Sequence, residues 1–564
     1  MSQAVISPAN GRPSHLWRPS TRLALLAALA AALVALPVLS LGLTALSREA
    51  LAVWPHLTAN VLPAALGDTL LLLAGVAVFC GIVGVGTAWL VTQHEFPGRK
   101  SLEWLLVLPL AMPTYITAYV YVEILGFQGP LQSLFRVLTG YRSLRDYWFP
   151  DPRNLTGAIL ILGLVLYPYV YLSVRALFGM QSAAIVESAR TLGASRWTLF
   201  RRVALPMARP ALAAGLTLAL LETLNDIGAS EYLGVRSLTL SVYTTWLNRS
   251  SLPGAAQIAC VMLLVVVGLI LVEMQSRGAR RFSLPVKRLR PVGRSPLPRG
   301  AAWAASAACA LPVLLGAILP LAFLFGEFLR RDLIAQADAA MLRSLANTLA
   351  ISAAATAIVV AVGVGVAAAV RLGREPWLPA VARLASLGYA LPGTVLALGL
   401  LVPLAAFDNL VADASRAVFG ASPGLLLLGS GAALVIAYLV RFLSIALAGT
   451  QSGLARISPR IDDAARSLGA GRRELLRRLH WPLTRPAIAA AALLVFVDCM
   501  KELPMTLLLR PLNFETLATQ VYGHASRGVF EDGALAALLI VLIGIYPAIM
   551  LARAGNGEKL AAGS

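Results

Sequence analysis

The sequence predicts an all-α, polytopic membrane protein with about twelve transmembrane helices in two homologous six-helix halves. Three observations carry this. The 564-residue chain is 58% hydrophobic and only 13% charged, and its apolar residues fall into long blocks. Around 20 apolar residues span the hydrocarbon layer as a helix, and about a dozen blocks reach that length. Second, the chain repeats itself. Glu187-Ser188-Ala189, Gly193 and Leu205-Pro206 recur as Asp463-Ala464-Ala465, Gly469 and Trp481-Pro482, displaced by 276 residues. Nearer the start, Val83-Gly84-Val85-Gly86 and Pro113 recur as Val362-Gly363-Val364-Gly365 and Pro392, displaced by 279. Third, the basic residues gather in a few loops between apolar blocks.

In chain order the expected spans are 23–46, 63–92, 102–127, 155–178, 210–230 and 256–275, then 301–326, 345–370, 380–404, 424–447, 487–505 and 534–552. A cytoplasmic tail over 1–22 precedes the first half (23–275). A basic linker over 276–300 joins it to the second half (301–552), and 553–564 forms a second cytoplasmic tail. Arg12, Arg18 and Arg22 before the first block resemble a signal-peptide n-region, but the apolar run is too long for a cleaved signal, so it reads as an uncleaved helix. Pro109, Pro113, Pro168, Pro392 and Pro403 are expected inside spans, where neighbouring helices satisfy the freed backbone groups. Cys80, Cys260, Cys309 and Cys499 lack metal-ligand spacing and read as small core residues.

A formal net charge of +20 raises nucleic acid as a partner, but the distribution argues for a lipid bilayer instead. Arg277, Arg280, Arg281, Lys287, Arg288, Arg290, Arg294 and Arg299 crowd the linker, and further arginines surround both repeated motifs. The positive-inside rule places these regions and, with twelve spans, both termini in the cytoplasm. Arg136, Arg142, Arg145 and Arg153 oppose that topology and are outvoted.

Each repeated motif lies between the fourth and fifth span of its half. Residues 183–192 and 458–468 are expected as short helices, each stopped near a glycine that lets the chain bend. A second basic helix then runs to Pro206 and Pro210, or to Pro482 and Pro486, where the chain re-enters the membrane. This pattern resembles the EAA loop of the integral membrane subunits of binding-protein-dependent ABC importers. The resemblance implies the type I importer permease fold, with 183–206 and 459–482 docking on two copies of a cytoplasmic ATPase. Glu187, Ala189, Gly193, Leu205 and Pro206, with Asp463, Ala465, Gly469 and Pro482, would carry the coupling. The chain has no phosphate-binding loop of the form G-x-x-x-x-G-K-[ST], so ATP and magnesium would be bound by the partner; no cofactor is expected here and the chain itself is not an enzyme.

Charged residues inside spans are costly and are functional candidates by default. In the fifth spans Glu222 maps onto Asp498, Asn225 onto Lys501 and Asp226 onto Glu502. Glu222 lies roughly 18 Å along the helix from Pro210, past the middle of a core about 30 Å thick. With Glu231 near the outer mouth, Glu222, Asp226, Asp498, Lys501 and Glu502 are expected to line a pathway or gate, acidic in balance and suited to a cation. The alternative is that Lys501 neutralises a carboxylate and the others fix packing. The pairs Tyr115/Tyr119 and Tyr167/Tyr171 read as helix contacts rather than phenolate ligands, and the five histidines match no metal spacing.

The run Asp498-Cys499-Met500-Lys501-Glu502-Leu503-Pro504 through Thr519, with Asn225-Asp226-Ile227-Gly228-Ala229 in the first half, resembles iron(III) ABC transporter permeases. It implies ferric iron as cargo and a periplasmic ferric-iron-binding protein as partner, in a bacterial inner membrane. Permeases for thiamine, polyamines or phosphonates share parts of these stretches and are the alternatives. A membrane-embedded enzyme would need convergent catalytic groups, which are not visible; a bare anchor would leave the fifth-span charges without purpose.

Overall fold

The computed structural model of the chain describes residues 21–143, 145–179, 191, 193, 195–277, 294–332, 338–373 and 375–561. Half one comprises α1 (Thr21–Ala45), α2 (Arg48–Asn60), α3 (Leu62–Gln93), α4 (Arg99–Leu105), α5 (Thr114–Leu125), α6 (Pro130–Thr139), α7 (Leu155–Gly179), α8 (Leu205–Asn225), α9 (Gly228–Tyr232), α10 (Leu238–Leu247) and α11 (Leu252–Arg277). Half two comprises α12 (Arg299–Val313), α13 (Leu319–Arg330), α14 (Ala339–Leu372), α15 (Leu378–Ala385), α16 (Gly393–Phe419), α17 (Ala432–Ala455), α18 (Pro459–Ser467), α19 (Trp481–Met500), α20 (Pro504–Leu509), α21 (Leu517–Ser526) and α22 (Ala534–Ala561). Among the described residues, eleven helices are long and apolar enough to cross a membrane, or up to twelve if one bent pair counts as a span. The extended pairing among them is a two-residue parallel bridge between His94–Glu95 and Ser295–Pro296.

The same three-helix core recurs: α3, α7 and α8 pack together in half one, and α14, α17 and α19 in half two. Apolar side chains gain little by leaving lipid for protein, so close backbone approach through small residues has to hold such helices together. A Cβ on Gly84 would lie 2.7 Å from the Cβ of Val170, and one on Gly363 would lie 2.8 Å from the Cβ of Ala446, the position equivalent to Val170. The second glycine of each repeated pair does different work. A Cβ on Gly86 would face open space, whereas one on Gly365 would lie 2.4 Å from Leu26 Cδ2 of α1.

That difference follows from an exchange of first spans between the halves. Helix α1 packs on α14, α15 and α16 of half two, while α12 and α13 pack on α3, α4 and α5 of half one. Gly399 of α16 makes room for α1, since a Cβ there would sit 2.4 Å from the carbonyl oxygen of Pro37.

Several sequence expectations need correction. Pro113 and Pro392 do not lie inside continuous spans: they are the N-caps of α5 and α16, and the third span of half one bends by 93° there. Proline has no N–H and pushes the preceding residue out of the helical region, as seen at Met112 (ψ 118°) and Leu391 (ψ 123°). The fifth spans do not run over 210–230 and 487–505. They end at Asn225 and Met500, and begin without a break from the motif loops. Short helices Arg196–Leu199 and Arg472–Glu474 pass through π-helical turns at Phe200–Ala204 and Leu475–His480 straight into α8 and α19. The wider π turn falls just before Pro206 and Pro482, where it relieves the clash between the proline ring and the preceding turn. A third π turn, Leu314–Ile318, precedes Pro320 in the same way. The fourth span of half two is Ala432–Ala455 rather than 424–447; the preceding stretch is held by Asp408, whose carboxylate accepts the N–H groups of Leu426, Leu427 and Leu428.

The glycine pair supplies a direct test. Gly84→Val is expected to destabilise the protein by about 1–3 kcal/mol through overpacking against Val170, whereas Gly86→Val leaves stability unchanged. Thermal unfolding of the two variants in detergent measures the difference.

Candidate functional site

Helices α8 and α19 end inside the bundle, where a broken helix must find partners for its backbone groups. Asp226 and Glu502 follow these ends and serve as side-chain caps for the short helices beyond. Asp226 Oδ1 accepts the N–H of Ala229 at 2.8 Å, and its Oδ2 has no hydrogen-bond partner. Glu502 accepts the N–H groups of Met505 and Thr506 and the Thr506 hydroxyl, all at 3.1 Å. Both carboxylates are buried.

Between the halves lies a cavity of ≈ 90 Å³, lined by Tyr115, Tyr169, Glu222, Asn225 and Asp226 from half one and by Tyr389, Arg441, Asp498, Lys501 and Glu502 from half two. The structure therefore brings together five of the six pathway candidates. The sixth, Glu231, sits on α9 in a separate cavity of ≈ 420 Å³ with Tyr119, Arg153, Tyr232 and Tyr522. There Tyr522 donates a hydrogen bond to Glu231 across the two halves at 2.6 Å, and the Arg153 guanidinium stands 5.3 Å from the Tyr232 ring centroid. Of the tyrosines read as helix contacts, Tyr119 packs edge-on against Tyr115, Tyr232 and Phe530, Tyr167 and Tyr171 are fully buried, and Tyr115 also lines the central cavity.

The acidic lining expected from sequence is offset by two cations. Lys501 pairs with Asp498 at 2.9 Å. Arg441, which the sequence reading missed, reaches across the axis. It stands 4.0 Å from Glu222 and donates hydrogen bonds to Asn225 Oδ1 at 2.9 Å and to the Leu391 carbonyl at 3.2 Å. Tyr389 donates to Glu222 at 2.8 Å, and Asn225 also accepts the N–H of Gly393 at 2.6 Å. First-half carboxylate and amide are thus held by second-half donors in a polar seam that lines the cavity. A signal for Arg441 did exist. It is the one charged residue in Ala432–Ala455, but its counterpart is Val165, so a search for charges that recur in both halves passes over it.

The motif loops are unequal in what can be described. Glu187 and Ala189 fall outside the described residues. Gly193 and Gly469 both have left-handed backbones (φ 79° and 84°), with open space where a side chain would stand. In the second loop the glycine closes a Schellman motif on α18: the N–H of Ala470 reaches the carbonyl of Ala465 and that of Gly469 reaches Arg466. Asp463 and Ala464 face outward, and Asp463 pairs with Arg466 of its own helix at 3.3 Å. Leu205 and Pro206 are half-buried at the start of α8, and Pro482 is exposed at the start of α19. The neighbour Asp462, unremarked in the sequence, is buried.

Known proteins place this arrangement. The family described as binding-protein-dependent transport system inner membrane component matches twice, over residues 81–281 and 361–554, together more than half of the chain. The chain is 25% identical to the Fe(3+)-transport system permease protein FbpB 2 of Haemophilus influenzae, over 86% of this chain and 89% of that protein. It is 27% identical to a probable ABC transporter permease protein, y4fN, of Sinorhizobium fredii, over 89% and 88%. It is 30% identical to the sulfate transport system permease protein CysT of Escherichia coli, over 40% of this chain and 82% of that protein.

Arg441→Met removes the cation beside Glu222 and one of the two donors to Asn225, leaving Tyr389 on Glu222 and the Gly393 N–H on Asn225. Because Glu222 keeps 24% of its side chain exposed and stands 4.0 Å from Arg441, the expected loss is about 2 kcal/mol, below that of a fully buried broken pair. The double variant with Glu222→Gln recovers most of it, as read by the unfolding midpoint in detergent.

Proposed function

The chain belongs to the inner-membrane components of binding-protein-dependent transport systems, the multi-pass permease subunits of ABC importers, and from that premise we propose that its two halves form the translocation pathway for ferric iron. A periplasmic iron-binding protein delivers the cargo, and two copies of a separate cytoplasmic ATPase bind the loops at 183–206 and 459–482 and drive the cycle. The basic loops and both termini lie in the cytoplasm, as the positive-inside rule directs.

The observation that carries this reading is the polar cavity between the halves, lined from both sides by the continuations of the two motif loops. Helix α19 runs from the π turn beside α18 to Asp498, and α8 runs from the other loop to Glu222. Movement at either loop is delivered to the cavity by a helix rather than a hinge. Closing of the ATPases separates the seam formed by Glu222, Asn225, Tyr389 and Arg441 on one side, and reopening restores it. Glu187 and Asp463 meet basic groups of the ATPases, and the exposed Asp463 and Ala464 are oriented for that contact. Glu231, at the outer cavity, receives cargo from the binding protein.

Ferric iron is favoured over an oxyanion on two grounds. Carboxylates outnumber cations around the central cavity four to two, and the likeness to the Fe(3+)-transport permease extends over most of both chains, whereas that to the sulfate permease covers 40% of this one.

The test is uptake of labelled ferric iron, with labelled sulfate in parallel, by cells expressing the chain with its ATPase and binding protein. Iron uptake by wild type is expected, with loss in Gly193→Val and Gly469→Val while the permease still reaches the membrane. Each valine costs about 1–2 kcal/mol in a left-handed backbone and unseats the loop rather than the bundle. Sulfate uptake without iron uptake would retain the permease and replace the cargo.

A further inference from the structure

The two halves fasten their motif loops to the bundle with different chemistry. In half two, Asp462 in the first turn of α18 accepts from Arg371 Nε at 2.9 Å and from His480 Nε2 at 2.9 Å. Arg371 ends α14 and also donates to the carbonyl of Ile457, just ahead of α18, at 2.9 Å. His480 closes the π turn that opens into α19. The side chains of Asp462 and His480 are 5% and 3% exposed, so this is a buried ionic joint linking three elements. A carboxylate only accepts, so Nε2 carries the proton of that bond; Nδ1 has no hydrogen-bond partner.

Among the described residues, half one shows no such joint. The positions of Arg371, Asp462 and His480 are taken there by Thr92, Val186 and Ala204. Under the loop stands an aromatic stack instead. Trp89 meets Phe178 at 5.4 Å and Phe200 at 5.0 Å, and Phe200 stacks on Trp197 at 5.6 Å. Their second-half counterparts are Ala368, Leu454, Leu476 and Arg473. Half one does hold a buried ion cluster, in which Arg99 bonds Glu95 and Glu103, each at 3.0 Å, and Arg175 of α7 stands 3.9 Å from Glu103 and donates to its carbonyl at 3.1 Å; it ties α4 to the ends of α3 and α7 and takes no residue from the motif loop itself.

We infer that Arg371, Asp462 and His480 are positioning residues that lock α18 to α14 and α19, making the second loop the rigid arm of ATPase coupling. An ion joint has directional bonds in one geometry, whereas apolar ring contacts slide at small cost. Displacement of α18 therefore passes undamped into α19 and on to Asp498, Lys501 and Glu502. The inference rests on the coupling role proposed for the loop at 459–482 and is independent of the cargo.

The experiment uses the complete complex of permease and ATPase, reconstituted with its binding protein. Spin labels at Ser467 and Ala357 report the α18–α14 distance, co-purification reports ATPase docking, and ATP hydrolysis reports stimulation by the binding protein. Asp462→Asn and His480→Ala are expected to broaden the distance distribution and to lower stimulation about tenfold, with the ATPase still bound. His480→Gln keeps a donor near the Nε2 position and gives up only the unbonded Nδ1, so it restores both readouts. Phe200→Ala in half one leaves the α18 distance unchanged. An unbroadened distribution in His480→Ala, or stimulation unchanged despite broadening, overturns the inference. If Gly469→Val retains the ATPase and full stimulation, the coupling role of the loop itself fails, and this inference with it.

Discussion

A helix that stops inside a hydrocarbon layer leaves N–H and C=O groups with no water to meet them, and the centre of this protein is organised around that cost. Helices α8 and α19 both stop short of the far side of the bundle. The side chains that follow them, Asp226 and Glu502, supply the missing acceptors for α9 and α20, and Asn225 does the same for the N–H of Gly393 at the start of α16. The polar cavity is thus a consequence of where the chain breaks. Once those carboxylates are required, Arg441 and Lys501 balance part of their charge, and Tyr389 fixes Glu222. Carboxylates that cap helices are costly to move, whereas Glu222 and Asp498 hold no helix end and can exchange partners at lower cost.

The duplicated architecture recurs at its key backbone positions and is unequal in its chemistry. Glycine at 84 and 363, proline at 113 and 392, and left-handed glycine at 193 and 469 occupy matching places, because backbone packing and helix breaking tolerate few residue types. Side chains facing the axis are under no such restriction. The donors to Glu222 and Asn225 come from half two, and among the described residues the first loop rests on aromatic rings and the second on an ion joint. A single gene carrying both halves allows such divergence, since each position faces one neighbour rather than a copy of itself.

Much of the fold was legible because its signals are periodic or repeated. Apolar block length located the spans, and the repeated glycines located the turns. Span ends were less legible. Pro113 and Pro392 looked like tolerated interruptions, although each begins a helix, and the π turns before Pro206 and Pro482 leave no mark in hydropathy. The same holds at the site. The repeated carboxylates stood out because they recur, while Arg441 was hidden because it does not. Asp462 was overlooked beside Asp463 because sequence spacing cannot tell which of two adjacent carboxylates faces the bundle; on a helix, neighbours point about 100° apart.

The exchange of α1 onto the opposite half bears on how the protein is made. Its resting place between α14, α15 and α16 is encoded roughly 300 residues later, which at ordinary synthesis speeds is an interval of roughly 15–60 s. During that time the small-residue face of Ala27, Ala30 and Ala31 is covered by lipid tails, which satisfy it chemically without matching its shape. Assembly of the bundle is therefore ordered by the ribosome rather than by proximity along the chain. The covalent tether keeps α1 at high local concentration until its groove exists, so an encounter that two separate subunits would have to find by lateral diffusion becomes an internal folding step.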